Sequence, residues 1–253
     1  MDIKRHDQIR AGIIGLDTKI PLSDGTKRPY INLDNAATTP PLRAVVQAVQ
    51  SFLPWYSSVH RGFGYKSQLS TAVYAEARRI ILDFFGAPAE KYTALFVKNA
   101  SEGLNKLAQR LPVAEAEVLT TWMEHHSNDL PWRLRKQARF IQLTNDGCLD
   151  LADLERKLRK ARHRIKLVTV CGASNVTGII NPIQTIAELA RYYGAQLVVD
   201  AAQLAPHYPV QIQSGPAPID FLAFSGHKMY APFGSGVLLG PLAAFRDGPP
   251  DQV

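Results

Sequence analysis

The feature that most constrains the fold is a set of short apolar runs, each followed by polar residues. The clearest are LVTVC at 167–171, LVVD at 197–200 and FLAF at 221–224. Strands with consecutive apolar residues are typical of a sheet that is buried on both faces. Segments with helical periodicity lie between these runs. This alternation predicts an α/β domain with a largely parallel sheet.

The helices are predicted from the spacing of apolar residues and from their stop signals. The clearest is Ser67–Phe85, which Gly86 and Pro88 end. We expect Asn181 to cap another helix, with Pro182 at its first position. The first thirty residues are mixed and polar, and we expect an arm or a covering segment there. The other predicted helices are 42–53, 101–111, 130–137 and 151–162, with the Asn181-capped one at 182–193, and the predicted strands are 31–34, 93–97, 117–121, 139–143, 165–171, 195–200, 219–224 and 235–239.

Composition limits the size and the partners of the chain. Its 253 residues, 46% of them hydrophobic, suffice for one sizeable domain, or for one domain with a short arm. The formal net charge is +7, and basic residues concentrate in 133–139 and 156–166. The simplest interpretation is a pair of solvated helix faces, and an acidic partner or nucleic acid is the alternative. Because no aromatic residues alternate with these basic runs, nucleic acid is disfavoured.

The cysteines and the N-terminus favour a cytoplasmic protein. Cys148 and Cys171 form neither a disulfide framework nor a Cys-x-x-Cys pair, and no metal site is predicted. No apolar run is long enough to span a membrane, and the charged first ten residues lack the apolar region of a secretory signal.

Ligands of largely parallel sheets bind beyond the carboxyl ends of the strands. The segments that follow the predicted strands are therefore the candidate site: 99–102, 124–128, 172–178, 200–203 and 225–228.

Asp200 and Lys228 stand out within these segments. A charged side chain at the end of a buried strand is costly unless it is paired or used. Taken singly, Asp200 is explained by a helix cap and Lys228 by an exposed lysine. Together they supply what pyridoxal 5'-phosphate (PLP) requires: an amine that holds the cofactor as a Schiff base, and a carboxylate that keeps the pyridine nitrogen protonated. The pair predicts a PLP site with Lys228 and Asp200 as catalytic residues.

Other polar residues supply the remaining contacts of such a site. Asn99–Gly103 lies between a strand and a helix, where backbone N–H groups face an anion, although Ser101 also suits an ordinary N-cap. Ser225 and His227 flank the lysine and offer further phosphate contacts. The ring of His125 is a candidate to stack on the pyridine, with an ordinary surface histidine as the alternative. Asn175 and Gln203 are candidate donors to the phenolic oxygen, although Asn175 also suits a turn.

Several strings resemble the class V aminotransferase family in order and spacing, from about residue 31 onward. The stretch D-A-A-Q at 200–203 followed by S-G-H-K at 225–228 is the most specific. Within the family, the chain looks most like group II cysteine desulfurases and selenocysteine lyases. The supporting strings are NLDNAATTP, SSVHRG, KNASEGLNK, MEHHSN, ASNVTGIINPI and FLAFSGHKMYAPFGSGVLLG.

The resemblance implies a role for each matching residue. Lys228 would bind PLP and move the Cα proton, Asp200 would pair with the pyridine nitrogen, and His125 would stack on the ring. The phosphate would be held by Ala100, Ser101, Ser225 and His227, and the phenolic oxygen by Asn175 and Gln203. Ala36 and Ala37 match a loop that approaches the substrate, and His60 and Arg61 match a pair at the substrate entrance.

The resemblance also implies a fold-type I, three-layer PLP-transferase-like large domain with a mostly parallel mixed sheet, incomplete at the C-terminus. We expect an arm at 1–30, the PLP-binding domain at 31–253, and no C-terminal small domain. The family's substrate-binding arginine and sulfur-accepting cysteine would lie in the missing part, and neither Cys148 nor Cys171 replaces that cysteine. Asn99-Ala100-Ser101 stands where the family often has Gly-Thr-Thr, so one hydroxyl is lost.

Three functions remain open from the sequence. The first is removal of sulfur or selenium from a small amino acid, with a homodimer and a sulfur-acceptor protein as implied partners. The second is transamination, epimerisation or β-elimination by the same cofactor. The third is a truncated, inactive subunit or interaction module. The ending GPLAAFRDGPPDQV predicts a chain cut in mid-domain or a frayed terminus, and it fits a fragment, a split protein or a short natural form equally.

Overall fold

The structure is a computed structural model that describes residues 3–111, 117–135, 137–161 and 163–246. The end of the predicted C-terminal segment, residues 247–253, lies outside the described residues, as do positions 136 and 162 of the basic runs. The helices are α1 (Ile3–Gly12), α2 (Arg43–Phe52), α3 (Tyr65–Phe84), α4 (Ala100–Arg110), α5 (His126–Arg135), α6 (Leu151–Ala161), α7 (Ile183–Tyr192) and α8 (Leu242–Arg246). The strands are β1 (Lys19–Pro21), β2 (Lys27–Pro29), β3 (Tyr92–Val97), β4 (Glu117–Thr121), β5 (Gln137–Ile141), β6 (Ile165–Cys171), β7 (Gln196–Asp200), β8 (Phe221–Ser225) and β9 (Gly236–Pro241).

Contacts divide the chain into two compact units, which we call the first and the second unit. The first unit comprises Met1–Tyr74 with Gly226–Ser235, and the second comprises Ala75–Ser225 with Gly236–Val253. The first unit contains α1, the hairpin of β1 and β2, α2, and the 3-10 turn Gly226–Lys228. This division differs from the predicted boundary after residue 30, which stays a prediction.

The second unit is built on a seven-stranded sheet in the order β3-β9-β8-β7-β6-β4-β5. Strands β8, β7, β6, β4 and β5 run parallel to one another, and β9 runs antiparallel to both β3 and β8. The prediction of a mostly parallel, mixed α/β sheet is confirmed.

Both faces of this sheet are buried, as the apolar runs predicted. One face packs against α4 and α5, and its core includes Leu104, Leu107, Trp132, Leu167 and Val198. Because side chains alternate along a strand, the intervening residues point to the other face. Val168, Leu197 and Val199 are also fully buried there. Burial on both faces explains why the inner strands lack a polar alternation.

Several predicted elements differ from the structure. Residues 31–34 form no strand, and Ile31 and Leu33 are 78% and 93% exposed. The strands near the N-terminus are β1 and β2, joined by a turn at Gly25, whose φ is 81°. The preceding Asp24 accepts hydrogen bonds from both the backbone N–H and the hydroxyl of Thr26, which closes this turn. An Asp-Gly pair is a known hairpin signal, so Asp24-Gly25 already indicates this hairpin in the sequence, in place of the strand predicted at 31–34.

The predicted caps and helix starts are also corrected. Helix α7 starts at Ile183, with Pro182 at the N-cap position and no side-chain cap. Asn181 instead donates through Nδ2 to the carbonyl of Cys171, at 2.8 Å. Helix α5 starts at His126 rather than Leu130, with Pro131 inside it. Predicted stops at Gly86 and Gly194 are confirmed by their positive φ angles of 57° and 75°.

The basic runs lie on or beside surface elements and find acidic partners locally. Arg133 pairs with Asp129 at 2.9 Å, and Arg139 pairs with Glu117 at 2.7 Å. The buried carboxylate of Asp153 binds both Arg156 and Lys157. These contacts favour the interpretation as solvated surfaces over a binding site for an acidic partner.

The described ranges contain neither a membrane-spanning helix nor a metal-binding cluster. None of the helices there combines the length and the apolarity needed to cross a bilayer. The same residues contain no group of three or more His, Cys, Asp and Glu side chains arranged to hold a metal ion.

Candidate active site

The N-terminus of α4 forms an anion-binding arrangement at the end of β3. Asn99 caps the helix, and its side chain accepts a hydrogen bond from the N–H of Glu102 at 2.9 Å. Asn99, and not Ser101, is therefore the N-cap. The N–H of Ala100 donates to Oγ of Ser225 at 2.8 Å. The N–H of Ser101 makes no hydrogen bond within the described chain, which leaves a backbone donor at the positive end of a helix.

Gly236 makes this arrangement compact. It is paired with Ser225 across β8 and β9. A Cβ at Gly236 would lie 2.5 Å from Cα and 2.7 Å from C of Asn99. Only a residue without a side chain therefore lets β9 pass beneath the α4 cap.

We expect Gly236→Ala to displace the start of α4, since the obstructing atoms are backbone and cannot rotate away. The cost in the free energy of unfolding should be about 1–3 kcal/mol, with a loss of phosphate affinity. Gly64→Ala is the matched control, because its Cβ would meet nothing within 4 Å. Chemical denaturation measures the first effect, and equal unfolding midpoints for the two variants would contradict it.

Asp200 ends β7 and is 4% exposed. Its Oδ1 accepts the N–H of Ala202 at 3.0 Å, which closes the turn that follows the strand. The cap interpretation is thus correct in part, although the cap belongs to a turn and not to a helix. Its backbone carbonyl accepts the N–H of Gly172 from the segment after β6.

The strand register brings Asp200 and Ser225 to one face of the sheet. Asp200 is directly opposite Ala223, a member of the core that packs on α4 and α5. Ser225 lies two residues beyond Ala223, so its side chain points to the same face. Neighbouring strands are about 4.8 Å apart and two residues advance about 6.6 Å, so the two Cα atoms are separated by roughly 8 Å. A buried carboxylate and an anion-binding helix start therefore share one face at the carboxyl ends of the strands.

The segment between β4 and α5 carries His125 and a buried acid. His125 is exposed, and its Nδ1 interacts with Oγ of Ser127. Glu124 precedes it, and burial raises the pKa of the Glu124 carboxyl to about 7. Glu124 was not singled out from the sequence, where only its position after a strand pointed to it.

Asn175 and Gln203 follow β6 and β7. Asn175 is exposed at the start of the turn 175–177, as the turn interpretation predicted. Gln203 is half-buried in the turn after Asp200, and its carbonyl accepts Nδ1 of His207 at 2.7 Å. Their roles toward the phenolic oxygen stay predictions.

In the first unit, the turn that carries Lys228 is bound to the segment Thr38–Thr39. The ring of His227 contacts the hydroxyl of Thr38. The backbone carbonyl of His227 accepts hydrogen bonds from both the N–H and the hydroxyl of Thr39. Burial, assisted by the charge of Lys228, lowers the pKa of His227. Thr38 and Thr39 thus position the lysine turn, a role that their place in the string NLDNAATTP did not reveal.

The predicted substrate residues also lie in the first unit. Ala36 and Ala37 form part of a turn that the hydrogen bond from Ala37 N–H to the carbonyl of Asp34 closes. His60 has a φ of 58°, and its N–H donates to Oγ1 of Thr71. Arg61 is exposed. Their assignment to the substrate entrance stays a prediction.

Neither cysteine has the surroundings of a nucleophile. Cys171 is buried at the end of β6, and burial raises the pKa of its thiol. Cys148 is half-buried in a turn, and desolvation and Asp146 raise the pKa of its thiol. Since the thiolate is the reactive form, both side chains favour a structural role.

Comparison with known proteins decides the family. A family model described as aminotransferase class-V matches residues 31–251. The chain belongs to the class-V aminotransferase family. It is 39% identical over 241 residues to a probable cysteine desulfurase of Streptomyces coelicolor, a match covering 90% of this chain and 56% of that protein. A probable cysteine desulfurase of Pyrococcus abyssi is 40% identical, with 87% and 54% covered.

A solved structure supports the same family. The apo cysteine desulfurase of Thermococcus onnurineus superposes with a TM-score of 0.75 at 37% identity, covering 87% of this chain and 56% of that one. The class-V aminotransferase chain described here thus spans about half the length of the curated relatives it matches. Class-V aminotransferases and cysteine desulfurases are PLP-dependent enzymes, so the predicted cofactor is that of the family to which this chain belongs.

The residues of the second unit fit this cofactor. The start of α4 offers the N–H of Ser101, which has no partner among the described residues, beside the hydroxyls of Ser101 and Ser225, a donor set suited to a phosphate. Asp200 supplies a buried carboxylate on the same face of the sheet, suited to a protonated pyridine nitrogen. The start of α4 thus suits the phosphate of PLP, and Asp200 suits its pyridine nitrogen.

Proposed function

We propose that this class-V aminotransferase chain carries the cofactor-binding part of an enzyme that removes sulfur from cysteine and releases alanine. The observation that carries the proposal is the shared face of Asp200 and Ser225 beside the start of α4. The printed names of its relatives, probable cysteine desulfurases at 39% and 40% identity, support the choice of reaction.

The chain's residues divide the work according to their chemistry. The start of α4, with Ser101 and Ser225, binds the phosphate, and Asp200 holds a proton on the pyridine nitrogen. When bound, PLP supplies an electron sink for charge that develops at the substrate Cα. Lys228 is assigned from its sequence position, three residues after the end of β8. Its Nζ binds the cofactor covalently and, once the substrate has displaced it, takes the Cα proton.

The contacts of the ring and of the substrate are assigned in the same way. His125 stacks on the pyridine, Asn175 and Gln203 bind the phenolic oxygen, and His227 adds a phosphate contact. Ala37, His60 and Arg61 contact the amino acid. These roles rest on the sequence motifs that match the family, and each can be tested by replacing the residue.

The sulfur leaves by attack of a thiolate on the substrate sulfur. An S–S bond forms, the Cβ–S bond breaks, and its electron pair remains with Cβ, which takes a proton to give alanine. Because Cys148 and Cys171 have raised thiol pKa values, the attacking thiolate belongs to neither of them. We propose that a further thiol of the full-length enzyme or of an acceptor protein accepts the sulfur, and that the enzyme is a homodimer in the cytoplasm.

The test combines adduct mapping with product analysis. The chain is incubated with PLP, reduced with borohydride and digested, and the expected result is a PLP adduct on Lys228 by mass spectrometry. With L-cysteine and an excess of an added dithiol, which accepts the sulfur in place of the proposed acceptor thiol and releases it as sulfide, we expect equal amounts of alanine and sulfide. Pyruvate, a keto acid or a D-amino acid would indicate another PLP reaction. Absence of an adduct would favour a subunit or interaction module without catalytic function.

A further inference from the structure

A buried acid beside the proposed pyridine site has no part in the function proposed above. Glu124 follows β4 in the second unit. Its Oε1 accepts the hydroxyl of Thr121 at 2.5 Å, and its Oε2 accepts Nδ2 of Asn128 at 2.6 Å. The backbone of Cys171 also hydrogen-bonds to this carboxyl group. Glu124 as a residue is only half-buried, so it is the carboxyl end that these three groups enclose.

The partner of Glu124 is itself rigidly held. Asn128 is fully buried, and its Oδ1 accepts both Nε1 of Trp132 at 3.0 Å and the hydroxyl of Thr169 at 2.7 Å. Trp132 is fully buried in the core that packs on α4. The carboxyl group is therefore fixed to β4, α5 and β6, and it cannot rotate away from the interior without breaking this network.

The carboxyl group of Glu124 also interacts with Asp200. Strand register places Cys171 directly opposite Asp200 on β6 and β7, and Glu124 contacts Cys171. The negative charge of Asp200 adds to the effect of burial on Glu124. The titratable groups that face Glu124 are Asp200 from β7 and Cys171 from β6, and its neighbour on its own segment is His125.

We propose that Glu124 is a positioning residue of the cofactor site, a second carboxyl group that acts through Asp200 by losing one proton when a cation binds there. This inference deepens the proposed function and depends on it for the identity of the cation, the protonated pyridine nitrogen of PLP. No catalytic contact with the substrate is assigned to Glu124.

The direction of the effect follows from electrostatics. Burial raises the pKa of Glu124 to about 7, the hydrogen bonds to its carboxyl group oppose that rise, and the negative charge of Asp200 adds a smaller increase. A cation bound beside the Asp200 carboxylate offsets the repulsion between Asp200 and Glu124, and it therefore lowers the pKa of Glu124. Glu124 then loses a proton on binding near neutral pH. By linkage, the affinity contribution of Glu124 is absent at low pH, where Glu124 is protonated in both states, and it grows as the pH rises toward 7 and beyond.

The first experiment needs no cofactor. The pKa of Glu124 is measured by carbon-13 NMR of the side-chain carboxyl in the wild-type chain and in Asp200→Asn. Removing the neighbouring charge should raise the acid dissociation constant of Glu124 by about threefold or more. Glu90, an exposed acid, is the reference signal and should not move. An unchanged Glu124 dissociation constant in Asp200→Asn would overturn the proposed coupling.

The second experiment measures PLP binding between pH 5.5 and 8.5 in wild type and Glu124→Gln, with Glu90→Gln as the matched control. The Kd of Glu124→Gln should equal that of wild type at pH 5.5 and exceed it by about threefold or more at pH 8.5. Calorimetry near pH 7 in buffers of different ionisation enthalpy should show that wild type releases more protons on binding than the variant, which has no carboxyl group at this position.

The outcomes separate the inference from the function on which it depends. A Kd ratio that is the same at every pH would mean that Glu124 only supports the structure, and the inference would be wrong while the PLP function stands. Failure of wild type to bind PLP would remove the proposed function and the cation assigned to the site. The NMR result would then still decide whether Glu124 and Asp200 are coupled.

Discussion

Replacing Lys228 by alanine should abolish the covalent attachment of PLP and lower turnover by about 10²–10⁴-fold, the usual contribution of a positioned acid–base group. The physical reason is that the Lys228→Ala chain keeps the phosphate donors of α4 but lacks the amine that reacts with the cofactor aldehyde. We therefore expect PLP to bind reversibly. The mass of the chain should not increase after borohydride reduction, whereas wild type should gain one reduced cofactor.

The control for this experiment is Lys91→Ala. Lys91 is exposed in the turn before β3, and its backbone makes hydrogen bonds with Pro88 and Leu242. It should retain the adduct and the absorbance of wild type. An adduct of equal yield in Lys228→Ala would show that another lysine holds the cofactor, and the assignment of the turn Gly226–Lys228 would fail.

Replacing Asp200 by asparagine should leave the adduct on Lys228 but lower turnover by about 10²–10³-fold, a loss typical of removing one electrostatic contact to developing charge. Asparagine preserves an oxygen that can accept the N–H of Ala202, so the turn after β7 should persist. The neutral amide cannot hold a proton on the pyridine nitrogen, and the electron sink weakens. We also expect a weaker Kd for PLP, measured by fluorescence titration.

Asp220→Asn is the matched control for this second prediction. Asp220 is a half-buried carboxylate of the same sheet, but it precedes β8 and accepts the N–H of Leu197 at the start of β7. It therefore lies at the amino ends of these parallel strands, away from the ligand edge. Replacing Asp220 should lower the free energy of unfolding and leave turnover unchanged. Turnover of Asp200→Asn equal to that of Asp220→Asn would remove the pyridine assignment.

Glu124 shows why tertiary contacts change the meaning of a residue. In the sequence it is one acid in the string MEHHSN, set apart from an exposed glutamate only by its position after a predicted strand. The structure surrounds its carboxyl group with Thr121, Asn128 and Cys171, and its pKa rises to about 7 because burial outweighs these hydrogen bonds.

The sequence by itself determined the class of the fold, and it predicted the edge of the sheet at which the candidate site lies. Strands buried on both faces require consecutive apolar residues, so β6, β7 and β8 were recognised from their apolar runs alone. In parallel sheets, ligand-binding residues lie beyond the carboxyl ends of the strands. Asp200 and Ser225 were therefore identified as candidates from the sequence.

Only the tertiary structure decided which side chains share a face and which groups cap each helix. The pairing of Asp200 with Ala223, and not with a neighbour one residue away, places Asp200 on the side of α4, because a shift of one residue would turn it to the other face. Asn181 binds the carbonyl of Cys171 instead of capping α7 for the same kind of reason. Local sequence offers several hydrogen-bond partners to a polar side chain, and the partner that long-range packing brings nearest is the one selected.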